Sequence, residues 1–208
     1  MKITILIFSS ILILLSCSPD RFYLNQNLPY EEEIAAIKIG YIDSVEKIAK
    51  NAFALYSGGL VDLYCQEIPV TQLQADFTVD IKDGEGIDFF FRTIADHFDK
   101  HSNINFQYST NGCKVTEAGR LIVMVDSIKA QLNKPARIKI ENYGSLYNIT
   151  VDCDTVYFGK SNLHATQHIL IKPVNITNAV FTGVRFSNMN SDMQKTEGWQ
   201  IQGFNKNE

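Results

Sequence analysis

Six consecutive residues, Ile87-Asp88-Phe89-Phe90-Phe91-Arg92, combine the side chains that sugar recognition draws on. In an extended strand the period of two sends Ile87, Phe89 and Phe91 to one face and Asp88, Phe90 and Arg92 to the other. The second set lines up a carboxylate, an aromatic ring and a guanidinium. Sugars offer apolar C–H faces that stack on rings, and hydroxyls that bond to carboxylates, amides and guanidinium groups. Asn103, Asn105 and Gln107 alternate along a second run, Ile104 to Tyr108, and extend the same strip if the two strands are neighbours. The candidate ligand-binding residues are therefore Asp88, Phe90, Arg92, Asn105 and Gln107. The competing reading is an Asp88–Arg92 pair that only solvates a sheet face, with Phe90 covered by the N-terminal segment.

Other chemistries find less support. His97 with His101, and His164 with His168, are each four apart, but neither pair lies in a helical pattern and no H-E-x-x-H run completes a zinc site. Solvated loop histidines are the expectation, with no metal and no cofactor. There is no Gly-x-Ser-x-Gly, P-loop or G-x-G-x-x-G segment, and no catalytic residue is assigned. The chain has 208 residues, 19 basic and 23 acidic, for a formal charge of −4. With no Lys/Arg-rich run to neutralise phosphates, nucleic acid is excluded as a partner. Hydrophobic residues make up 45% and charged residues 20%, the balance of a chain that buries a core rather than one that stays disordered.

After Met1 and Lys2, residues 3–15 carry no charge and end in Leu14-Leu15-Ser16-Cys17. The stretch is short for about 30 Å of hydrocarbon but suits the core of an export signal. It resembles the bacterial lipoprotein signal, with Leu three before a Cys and a small residue directly before it. That resemblance implies cleavage after residue 16, lipidation of Cys17 and a membrane partner reached through the lipid anchor. Several acyl chains anchor stably where one binds only marginally, since each buried CH₂ contributes about 0.8 kcal/mol. In such lipoproteins an Asp after the Cys commonly retains the protein in the inner membrane; Ser18 stands there, so the resemblance implies the outer membrane. Cys65, Cys113 and Cys153 remain, an odd number that permits one disulfide and a buried thiol, or three thiols.

The elements that must position these residues are mostly strands. Residues 18–30 are polar, contain two Pro and lack periodicity, which reads as a tether. Over residues 31–51, Ile34, Ile37, Tyr41, Val45 and Ile48 approach a helical period behind Glu31, Glu32 and Glu33, so a helix is expected. Gly40 and the β-branched Ile37, Ile39 and Ile42 leave an extended strand as the alternative. From Ser57-Gly58-Gly59 to Ser187 short alternating runs are separated by turn residues, among them Asn142-Tyr143-Gly144-Ser145 and Asp152-Cys153-Asp154. About ten strands with no intervening long helix call for two antiparallel sheets in a sandwich. The expected division is 1–16 signal, 17–56 lipidated Cys, tether and helix, 57–190 β-sandwich and 191–208 tail.

The order of these elements carries a resemblance. Gly86-Ile87-Asp88-Phe89-Phe90-Phe91-Arg92, the Tyr147 to Phe158 hairpin and the closing Gly183-Val184-Arg185-Phe186 are similar to the concanavalin-like, laminin-G-like jelly roll over about residues 57–188. In particular they resemble the sandwiches related to keto-disaccharide hydrolases, where a Gly-Ile-x-Phe-x-Phe-Arg strand and a terminal Gly-Val-x-Phe strand recur. The resemblance implies a mainly β jelly roll whose partner is a glycan or a protein surface. It also makes a structural calcium ion conceivable near Asp76, Asp80, Asp83 and Asp88. Retaining glycosidases of this architecture generally pair two carboxylates about 5–5.5 Å apart. Glu85, Glu117 and Glu141 fall in a turn, a loop and a strand end, so no such pair maps onto this chain and recognition without turnover is the expectation. A glycosidase-like enzyme, or an envelope structural subunit, is the alternative.

Overall fold

The computed structural model describes residues 21–23, 35–40, 44–49, 51–64, 72–93 and 102–188. They form two antiparallel sheets and, among the described residues, no α-helix. The eight-stranded sheet comprises β1 (Arg21–Tyr23), β2 (Ala35–Gly40), β5 (Gly59–Tyr64), β14 (His168–Val174), β7 (Gly86–Phe91), β8 (Ile104–Ser109), β9 (Gly112–Glu117) and β10 (Arg120–Val125), in that spatial order. The seven-stranded sheet runs β13 (Asp154–Lys160), β12 (Leu146–Val151), β11 (Ala136–Tyr143), β6 (Leu73–Asp83), β15 (Asn178–Asn188), β4 (Ala52–Leu55) and β3 (Val45–Ala49). The sheets pack face to face as the two-layer sandwich that the alternation predicts.

The core is aromatic. Phe77 of the seven-stranded sheet stacks on Phe89 of the eight-stranded sheet with ring centroids 5.2 Å apart, and Phe89 stacks on Phe106 at 5.6 Å. Phe181 lies parallel to Phe53 at 4.6 Å and meets Phe89 edge-on at 6.3 Å, while Phe91 meets Tyr147 edge-on at 5.5 Å. Ile87, Phe89 and Phe91 are all fully buried, so the inward half of the β7 period holds. Such rings each remove on the order of 150–250 Å² from water and fix how the two sheets meet.

Two close links set the register. β6 passes from one sheet into β7 of the other through Gly84, where φ is +92°. A Cβ there would sit 2.3 Å from the Ile176 carbonyl oxygen, so glycine is required both by conformation and by space. The β12–β13 hairpin turns at Asp152 and Cys153, both at positive φ (50° and 77°), the paired left-handed conformation whose twist suits a two-residue hairpin.

The helix expected over residues 31–51 is not found. β2 and β3 occupy that interval, pairing with β5 and β4 respectively. Ile37 and Ile39 favour an extended chain, and the open edge of β5 supplies a complete ladder from Ala35↔Tyr64 to Gly40↔Gly59, which outweighs the weak helical period. The sandwich also begins before residue 57, since Phe53 and Leu55 of β4 are fully buried in its core, and Arg21–Tyr23, expected to be part of a tether, pair with β2 as the edge strand β1. Cys17, Cys65, His97, His101, the export signal and the 191–208 tail lie outside the described residues.

Candidate functional site

β7 lies between β14 and β8, and its outward residues make two rows across the sheet. Asp88 stands opposite Lys172 on one side and Gln107 on the other, and Gln107 opposite Lys114. Phe90 stands opposite Leu170 and Asn105, and Asn105 opposite Thr116. The register thus brings Asp88, Phe90, Asn105 and Gln107 onto one face. Asn105 Nδ2 and Gln107 Nε2 both donate to Asp88 Oδ1, at 3.3 and 3.0 Å. Burial pushes the Asp88 carboxyl above the usual carboxylate range, against the opposing pull of the two amides and of Lys172 and Lys114. Asn105 Oδ1 is enclosed and receives no hydrogen bond among the described residues. The site therefore offers a carboxylate oxygen, an amide oxygen without a donor, a second amide and the neighbouring Phe90 ring.

Arg92 does not join them. The strand ends at Phe91, and Arg92 takes a φ of +55°, which swings its side chain off the outer face. Only 2% of the residue is exposed. Its Nε donates to Asn142 Oδ1 (3.1 Å), Nη1 to the Leu163 carbonyl (2.7 Å) and Nη2 to the Gly144 and Leu146 carbonyls (2.7 and 2.8 Å). The guanidinium also lies 5.7 Å from the Tyr147 ring centroid. Its burial pulls it below its usual range, opposed by Tyr147 and Glu117. Arg92 ties the β11–β12 turn to the 161–167 segment; the alternation that placed it beside Asp88 fails because the strand stops one residue earlier.

His168 departs from the solvated-loop expectation too. It opens β14 opposite Tyr64, and its ring lies 5.6 Å from that of Tyr64. Nδ1 sits 2.8 and 3.0 Å from the carboxylate oxygens of Asp62, which is 1% exposed. One signal in the sequence pointed there: Asp62 is the lone charge in the apolar run Gly59–Tyr64, and a buried carboxylate requires a partner. The aspartates near the Gly84 turn, Asp76, Asp80, Asp83 and Asp88, are dispersed. Asp76 and Asp80 lie on the seven-stranded sheet, Asp83 bonds Asn178, and Asp88 belongs to the other sheet. No group of three or more His, Cys, Asp or Glu side chains converges on a metal position among the described residues. Cys113 is a buried thiol, pushed up to about 12 by its burial, and Cys153 is an exposed thiol.

The pattern reading missed the outer face of the seven-stranded sheet. There Asp76, on β6, bonds Arg137 through both carboxylate oxygens and Arg185 at 3.2 Å. Burial raises the Asp76 carboxyl, but the bonds and charges of Arg137 and Arg185 outweigh it and hold the group below the usual range. Glu141, on β11, accepts from Lys139 Nζ (3.0 Å) and from Asn148 Nδ2 (2.7 Å). Arg185 reaches this face because β15 carries an extra residue between Thr182 and Arg185, where Gly183 is at φ +61°, leaving Val184 buried in the core and Arg185 outward.

No family model matches the chain, and no curated protein matches it in sequence. Its fold is similar to that of a carbohydrate-binding module, CBM66, from Bacillus subtilis, at 17% identity and a TM-score of 0.53 over 81% of this chain and 95% of that one. It is also similar to a Bacillus subtilis protein of unknown function with a galectin-like fold, at 10% identity and a TM-score of 0.54, covering 80% and 98%. A Trypanosoma rangeli sialidase matches at 13% identity and a TM-score of 0.53 over 84% of this chain, which spans about a third (32%) of the sialidase. The architecture is therefore a jelly-roll-type β-sandwich. At these identities the likeness is one of fold.

Proposed function

We propose that this protein is a lipid-anchored, exported glycan-binding module that recognises its ligand without turning it over. The observation that carries the reading is the Asp88–Asn105–Gln107 cluster beside Phe90. The cluster holds hydrogen-bonding groups fixed by one another on a sheet face, with the Asn105 carbonyl oxygen left for a donor hydroxyl. The fold's likeness to a carbohydrate-binding module and to a galectin-like sandwich supports it. Phe90 stands beside the cluster on the same face, and Lys172 and Lys114 stand on either side of it. Lipidation of Cys17 would hold the sandwich at the outer membrane, with residues 18–20 between the lipid and β1.

A glycan array probed with the full chain in a sugar-free detergent tests the reading. Specific signals that fall in Gln107→Ala support it, and a blank array from folded protein rejects it. Release of a shortened sugar from any bound glycan would instead mark a hydrolase. Metabolic labelling with a fatty acid tests the anchor: label on the wild type and none on Cys17→Ser is the expected result.

A further inference from the structure

The arrangement around Asn105 occurs a second time, on the opposite face of the sandwich. In the first, Asn105 donates through Nδ2 to a carboxylate, leaves Oδ1 enclosed without a donor, and stands directly opposite Phe90 on the next strand. In the second, Asn148 of β12 donates through Nδ2 to Glu141, leaves Oδ1 enclosed without a donor among the described residues, and stands directly opposite Phe158 of β13. Asn148 is itself 95% buried and Phe158 is 44% exposed. An enclosed carbonyl oxygen without a donor carries a desolvation cost, which a small side-chain shift that brings it to a ligand hydroxyl would relieve. An exposed ring one strand away is where the apolar face of the same sugar would lie.

On the seven-stranded sheet the carboxylates are already saturated from within: the Asp76 and Glu141 side chains are each 7% exposed, whereas those of Arg137, Arg185 and Lys139 are 54%, 42% and 32% exposed. A ligand approaching this face meets cations, although the chain carries a formal charge of −4. By register, Asn148 pairs with Glu141, and Lys139 pairs with Asp76, which pairs in turn with Arg185. The cations thus begin one residue pair along the strands from the Asn148–Phe158 position. Strands about 4.8 Å apart and residue pairs about 6.6 Å apart put Lys139 about 12 Å and Arg185 about 20 Å from Phe158 along the backbone grid, so the patch spans several sugar units rather than one. Guanidinium groups suit carboxylates in particular, because their planar fork matches the two oxygens.

We infer that the outer face of the seven-stranded sheet is a second saccharide site, specific for an acidic oligosaccharide, with Phe158 and Asn148 seating one ring and Lys139, Arg137 and Arg185 taking the carboxylates of neighbouring units. The protein would then engage glycan on both faces of one sandwich.

Calorimetric titration of the full chain in a sugar-free detergent with uronic-acid oligosaccharides, and with the same oligosaccharides after carboxyl reduction, tests it. The expected result is binding of the acidic form only. It should weaken at least about tenfold in Phe158→Ala and in Lys139→Gln, and fall with rising salt. Phe158 and Lys139 are surface residues whose replacement leaves the core intact, and circular dichroism confirms that each variant is folded. Equal binding of the reduced oligosaccharides, no binding of either form, or indifference to Phe158→Ala and Lys139→Gln overturns the inference. Loss of binding in Gln107→Ala but not in Phe158→Ala would place acidic sugar on the eight-stranded face instead, overturning this inference while leaving the first site standing.

Discussion

Asp76 and Asp88 occupy outward positions on opposite sheets, and their environments push them in opposite directions. Asp88, raised by burial, is disfavoured as an anion in the folded state, so its contribution is present below its ordinary value of 3.8 and lost as pH rises through the raised value. Asp76, held low by Arg137 and Arg185, contributes above 3.8 and loses that contribution as pH falls through the lowered value. Urea unfolding of Asp76→Asn and Asp88→Asn between pH 3 and 7 should therefore give slopes that deviate from wild type with opposite sign. Asp76→Asn should flatten the acid loss of stability, and Asp88→Asn should be at least as stable as wild type at neutral pH. Identical pH profiles for the two variants would contradict this assignment. Arg92 carries the larger effect at this scale. Removing a buried guanidinium that satisfies three carbonyls and an amide oxygen strands those acceptors, and Arg92→Ala should cost more than about 3 kcal/mol by chemical denaturation. Arg92→Lys should recover only part of it, because an ammonium cannot reproduce the planar fork.

Among the elements, β7 and its links set the geometry on which the candidate site depends. Phe89 touches Phe77, Phe106 and Phe181 across both sheets, and Phe89→Ala should cost roughly 3–5 kcal/mol in the same assay. At the preceding link, Gly84→Ala meets backbone atoms of Ile176 and Thr177 at 2.3 and 2.5 Å, in a conformation that L-residues rarely adopt. A loss of at least about 2 kcal/mol is expected, and a neutral effect would mean the link rearranges. How far these elements could be read from the residues varied with distance along the chain. The period of two placed Ile87, Phe89 and Phe91 inward and grouped Asp88 with Phe90, because alternation is local. Alternation in both runs left the adjacency of β7 and β8 as a condition; the ladder between them supplies it and brings Asn105 and Gln107 to Asp88. Arg92 did not, since a left-handed residue ending the strand leaves no trace in hydrophobic pattern. Ile37 and Ile39 were ambiguous between helix and strand until the free edge of β5 decided them. Asn148 and Glu141 share the β11–β12 hairpin, but Asp76 lies some 60 residues earlier and joins them only through sheet order, so the three were invisible as a group.

For the whole molecule, two sheets with an aromatic core between them leave two outer faces, each carrying polar groups organised around an asparagine with an uncommitted carbonyl oxygen. Neither face belongs to the core, so substitutions there should separate binding from stability. Gln107→Ala and Phe158→Ala should each unfold within about 1 kcal/mol of wild type, in contrast to Arg92→Ala and Phe89→Ala. A variant on either face that unfolded as readily as Arg92→Ala would mark that face as part of the fold's support. The central claim, that the outer face of the eight-stranded sheet recognises glycan, meets its most direct test in titrating the strongest array glycan into the full chain and into Asn105→Ala. A loss of at least about tenfold in affinity with unchanged unfolding is the predicted result, since the variant removes both the donor to Asp88 and the vacant acceptor beside it. Undiminished affinity in the folded variant would contradict the account and place recognition elsewhere on the molecule.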